Sequence, residues 1–187
     1  MTLTSSAFAN RKPIPAKYAH SGTNISPHLA WTKPPAGTQS FAIIVQDLDA
    51  RDPGIGADEL STDLDVEQAE EAREAGYDMG TESPGPPPRT FCHWLVYGIR
   101  ADATELDEGL PRTDKLRNGI LQGQNDFGQI GYGGPEPPSG THRYLFRLFA
   151  LDTVLPLVPG AVHDELDNAM RGHIIEEAQL TGIYRKD

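Results

Sequence analysis

Of 187 residues only one is a cysteine, Cys92, so no intramolecular disulfide can form and nothing requires an oxidising compartment. Positive charge is scarce: 16 Lys and Arg stand against 27 Asp and Glu, a formal net charge of -11. That balance argues against nucleic acid as a partner and against polybasic attachment to anionic lipid, both of which need a basic footprint. No run approaches the roughly 20 apolar residues of a membrane span, so stable membrane insertion is not expected. The opening "MTLTSSAFANRKPIP" has no basic leader ahead of an apolar stretch, which points to a cytoplasmic address. The "NIS" of Asn24 to Ser26 is therefore a glycosylation sequon by pattern only.

What the chain does have is turn chemistry. Nineteen glycines and 16 prolines beside a 37% hydrophobic fraction fit a loop-rich, mostly β protein better than a helical bundle. Its length suits a single domain spanning 1–187. The acidity is local: Arg51 to Arg89 holds 11 acidic and 3 basic residues, net -8, which leaves -3 for all the rest. This segment begins with "PGIG" and ends with "SPGPPPRT", and reads as an acidic insertion at about 52–90. Within it, "DLDVEQAEEAREAG" predicts a short helix, with Asp63 or Asp65 as N-cap and Gly76 as the stop. Its role is a solvated excursion or, as the sharper reading, a lid over a site.

Three apolar runs predict strands: "FAIIVQD" from Phe41 to Asp47, "CHWLVYGI" from Cys92 to Ile99, and "HRYLFRLFAL" from His142 to Leu151. No βαβ alternation links them, so an antiparallel or mixed β-sandwich is favoured over a doubly wound sheet. Val162, Leu166, Met170, Ile174 and Ala178 recur every fourth residue and predict an amphipathic C-terminal helix.

Polar residues at the ends of buried strands are candidates for function. Asp47 ends the first strand, and His93 and His142 begin the other two, so strands of alternating sense in one sheet would gather all three at one rim. Two imidazoles and a carboxylate make donors for an anion together with an acceptor that fixes tautomer. The same three residues could ligate zinc, but the close pair usual in local metal motifs is missing. "DFG" at Asp126 to Gly128 lacks the other kinase signatures, and the glycines of "GQIGYGGP" open no helix after a strand. Cys92 and His93 are strand neighbours expected on opposite faces, which disfavours a thiol nucleophile with an adjacent base.

Taken together, these segments resemble the phosphatidylethanolamine-binding protein family. "SGTNISPHLAWTKPPAGTQSFAIIVQDLDA" from Ser21 to Ala50 is similar to its first signature, "N-x-S-P-x-L-x-W" leading to "D-P-D-A". "FCHWLVYGI" resembles its "HW" strand, and "GQNDFGQIGYGGPEPPSGTHRYLFRLFALD" from Gly123 to Asp152 resembles its "N-D-F-G … H-R-Y" block. The tail is similar to that of the prokaryotic, Raf kinase inhibitor protein-like branch. The resemblance implies an antiparallel β-sandwich with peripheral helices and a pocket for phosphate-like anions. By motif, that pocket takes Asp47, Asp49, His93, Pro138, His142 and Tyr144, with Gly134 and Arg143 shaping its wall. Leu48 stands where the family pattern has proline, and the loop after Ala50 is longer than usual.

The function expected is binding of a small anionic ligand, a phosphate group or phospholipid head group, without a cofactor and without catalysis. A regulatory role toward a kinase or protease is part of what the resemblance implies, and a homodimer is left open. The alternative is a hydrolase with His93 or His142 as general base, for which the matched motifs offer no serine or threonine nucleophile.

Overall fold

All three apolar runs are extended in the computed structural model, which describes residues 1–50 and 90–186. In chain order the elements are β1 (Thr2–Thr4), β2 (Lys12–Pro13), a 3-10 turn (Ala16–Tyr18), β3 (Leu29–Thr32), β4 (Ser40–Asp47) and β5 (Phe91–Arg100). Then come β6 (Glu105–Leu106), β7 (Leu121–Gln122), β8 (Gly140–Leu151), α1 (His163–Met170) and β9 (Ile174–Lys186). The expected insertion, its helix and its lid role lie outside the described residues.

The strands form a large sheet in the order β2-β9-β8-β4-β5-β7 and a small one, β1-β3-β6. Every pairing in them is antiparallel except β2 on β9. Leu3, Trp31 and Leu106 of the small sheet share one core with Ile43, Val96, Phe146 and Leu148 of the large sheet, which makes the sandwich. The other face of the large sheet, with Ile44, Leu95 and Phe149, packs against Leu166 and Met170 of α1. Each of those two helix residues, fully buried, stabilises the fold by about 1.5–3 kcal/mol. Covered on both faces, β4 is buried at all eight positions, which is why "FAIIVQD" shows no apolar-polar alternation.

The C-terminal helix is shorter than the four-residue recurrence predicts. It stops at Met170; Gly172 takes a left-handed φ of 82°, and Ile174 and Ala178 belong to β9. From Ala178 onward Ala178, Leu180 and Gly182 are buried at every second position, a strand period. Pairing with β8 from Gly140↔Lys186 to Leu151↔Ile174 supplies a ladder along the whole strand, which overrides the weaker helical pattern. Among the described residues, no helix is long and apolar enough to cross a membrane.

Candidate functional site

The antiparallel order β8-β4-β5 brings the end of β4 against the starts of both neighbours. Asp47 stands opposite Tyr144 of β8 and opposite Phe91 of β5. Asp47 is buried, and each of its carboxylate oxygens is engaged. Oδ1 accepts the backbone N–H groups of Asp49 at 2.9 Å and Ala50 at 3.1 Å, while Oδ2 accepts Nδ1–H of His142 at 2.7 Å. The carboxylate thereby fixes the turn after β4 and the tautomer of His142.

His93 reaches the same rim through a β-bulge. The register slips between Val45↔Trp94 and Gln46↔Cys92, which leaves His93 as the extra residue of β5. Cys92 packs on the helix side of the sheet and Trp94 between the sheets. Strict alternation would turn His93 away from Trp94. Instead it lies edge-on to the ring of Tyr144, an intersheet residue, with centroids 5.1 Å apart. His93 Nδ1 donates to the Gly133 carbonyl at 2.8 Å. The ring is 3% exposed, and burial is the main cause that pulls its pKa below the usual histidine value, against the smaller opposing effects of Gly133 and Asp47.

Tyr144 is 1% exposed, and its Oη makes no well-formed hydrogen bond among the described residues, although the Asp47 carboxylate and the Glu136 backbone lie close enough to act on it. Burial first, and then the charge of Asp47, push its pKa upward, so the hydroxyl keeps its proton. Gly134 is buried beside Gly133, and its N–H donates to Asn24 Oδ1 at 2.8 Å. A Cβ there would lie 2.1 Å from the carbonyl oxygen of Tyr18, so only glycine fits.

Asp47, His93, His142, Tyr144 and Gly134 thus gather around one rim, and the three other expected members, Asp49, Arg143 and Pro138, are exposed. Asp49 and Arg143 are exposed and bind each other, with Arg143 Nη2 to Asp49 Oδ1 at 2.6 Å, Nε to Oδ2 at 2.9 Å and the backbone N–H to Oδ2 at 2.8 Å. The guanidinium hydrogen bond holds the Asp49 carboxyl below the usual carboxylate range. Alternation along β8 also turns Arg143 to the face opposite His142 and Tyr144. The pair clips the turn after β4 to β8, and Leu48 N–H adds a bond to the Arg143 carbonyl at 2.9 Å, which proline could not donate. Pro138 is exposed in the loop before β8.

Several neighbours escape a reading based on strand ends. Phe127 packs edge-on against Phe91 at 4.8 Å and His93 at 5.3 Å, and stacks with His20 at 5.0 Å. Asn125 holds that loop, taking the N–H groups of Phe127 and Gln129 on Oδ1 and donating to the Gly131 carbonyl. Asn24, at a left-handed φ of 57°, reaches Gly134 from the "NIS" segment. The signal was in "NDFG" and "N-x-S-P", whose polar residues bond loop backbone.

The family model described as phosphatidylethanolamine-binding protein matches residues 4–81 and 75–185. The UPF0098 protein of Methanothermobacter thermautotrophicus is 39% identical over 186 residues, covering 100% of this chain and 99% of its own. A crystal structure of a phosphatidylethanolamine-binding protein homologue from Chlamydia trachomatis has 34% identity and a TM-score of 0.73, covering 100% of this chain and 97% of that one. YbcL of Escherichia coli, described as a new member of the mammalian family, has 28% identity and a TM-score of 0.76, covering 100% and 98%. The chain belongs to the phosphatidylethanolamine-binding protein family.

Proposed function

We propose that this chain is a non-catalytic binding protein that holds a small phosphate-like anion at the rim of Asp47, His93, His142 and Tyr144. The observation that carries the reading is Tyr144 Oη, a buried hydroxyl with no well-formed hydrogen bond among the described residues, beside two imidazoles. Leaving such a group unsatisfied forfeits about 1–3 kcal/mol, and a ligand oxygen is the partner that would recover it. Both imidazoles commit Nδ1 to the protein, to Gly133 and to Asp47, which leaves Nε2 for a ligand. The phosphate of a phospholipid head group and a free phosphate share the chemistry required. The proposed address is the cytoplasm. The family comparison lends no support to the hydrolase alternative. Inhibition of a kinase or protease is carried no further, because no described surface feature singles out such a partner.

Calorimetric titration with sulfate tests the reading. Sulfate stays doubly charged through the histidine range, so affinity should fall as pH rises and imidazolium is lost. Replacing His142 by Ala should remove a charge-assisted contact of about 1.5–3 kcal/mol, a tenfold or greater weakening. Equal, pH-independent affinities in both proteins would remove the anion assignment.

A further inference from the structure

The rim carries more lone pairs than donors. His93 Nδ1 donates to the Gly133 carbonyl at 2.8 Å, and His142 Nδ1 donates to Asp47 Oδ2 at 2.7 Å. A carbonyl or a carboxylate can only accept, so each ring keeps its proton on Nδ1 and, when neutral, presents a lone pair at Nε2. Tyr144 supplies one O–H that makes no well-formed hydrogen bond among the described residues. While both rings are neutral, an oxyanion made only of acceptor oxygens therefore meets one donor and two lone pairs, and protonation of a ring turns its Nε2 into a charge-assisted donor.

We propose that the site selects an oxyanion that brings its own proton, a phosphate monoester or inorganic phosphate, over sulfate and over phosphodiesters. The inference rests on the anion-binding reading and narrows it to a ligand class. The P–O–H of a monoester donates to His93 Nε2, and a second oxygen of the same phosphate accepts the Tyr144 O–H. Whether the proton stays on oxygen or moves to Nε2, ligand and ring together hold one proton, so none is taken from solvent. Sulfate and a diester carry no proton at neutral pH, so His93 must first be protonated by water. Asp47 and Asp126 favour the charged ring, but burial outweighs them. The rings of Phe91, Phe127 and Tyr144 pack around it. A phospholipid head group is a diester, so it is expected to bind less tightly than a monoester.

Calorimetric titration of methyl phosphate, dimethyl phosphate and sulfate at about pH 5, roughly one unit below a monoester's second pKa of about 6, reads the preference. Methyl phosphate should bind at least tenfold more tightly than either of the others. Repeating the titrations in buffers of different ionisation enthalpy gives the proton count: close to none taken up with methyl phosphate, a clear uptake with sulfate. In His93→Gln the side-chain amide can donate to any of the three anions, so the preference should collapse while sulfate still binds. If that variant does not fold, the wild-type proton counts decide alone. Equal affinities with equal proton uptake overturn the selection and leave the anion site standing, whereas no binding of any of the three overturns both.

Discussion

Asp47 Oδ2 accepts Nδ1–H of His142 at 2.7 Å, across 95 residues of sequence and one strand pairing. The other carboxylate oxygen is taken by the N–H groups of Asp49 and Ala50, so the carboxylate cannot turn without breaking the turn that follows β4.

That bond sets a tautomer that spectroscopy can read. In Asp47→Asn the amide oxygen should stay with the two backbone donors and the NH₂ should face His142, which must then accept at Nδ1 and carry its neutral-state proton on Nε2. Nitrogen chemical shifts should show the Nδ1–H form in the wild type and the Nε2–H form in the variant. A wild-type ring in the Nε2–H form would contradict the geometry.

His93 makes stability depend on pH. Its folded-state pKa lies below the ordinary value of 6.5, so between the two the unfolded chain binds more protons. Its contribution is therefore complete above about pH 6.5 and declines as pH falls toward the folded value. Denaturant unfolding at about pH 7.5 and about pH 5.5 should show a loss in the wild type that is smaller in His93→Gln. The same loss in both proteins would assign the effect to other groups.

Gly134 tolerates no side chain. In Gly134→Ala the new methyl meets the Tyr18 carbonyl oxygen and the Ala19–His20 backbone, none of which can rotate aside. The expected destabilisation is about 1–3 kcal/mol or more, a fall of several degrees in Tm, with weaker anion binding because Gly133 moves with it. An unchanged melting curve would show that the two segments are not in contact.

The acidic segment should be dispensable for folding. Asp47 and Phe91 are opposed in the β4–β5 pairing, so a short linker in place of residues 54–85 can close that connection. Thermal melting should remain cooperative and near the wild-type midpoint. A variant that no longer folds would mean that the segment contributes to the core or to an interface.

Much of this was legible in the chain itself because burial writes itself into strands. "FAIIVQD" and "CHWLVYGI" are apolar enough to announce central strands, and their polar ends single out Asp47 and His93. The bulge at His93 was not legible, since one extra residue in a register leaves no compositional trace. Nor was the end of α1: Ile174 and Ala178 continue a helical recurrence, and only the long ladder with β8 makes them strand. Arg143 was expected at the pocket wall by motif, and its commitment to Asp49 depends on which face of β8 it occupies. The places of Phe127 and Asn125 were not legible either, since a loop's packing on His93 depends on contacts across the sheet and not on the local pattern "NDFG".

If a phosphate occupies this rim, a crystal of the protein soaked with methyl phosphate will show it there. A phosphate oxygen should lie within about 3.2 Å of Tyr144 Oη, and others within the same reach of Nε2 of His93 and His142. Phosphate density elsewhere on the protein, with Tyr144 Oη still unpartnered at saturating ligand, would contradict it.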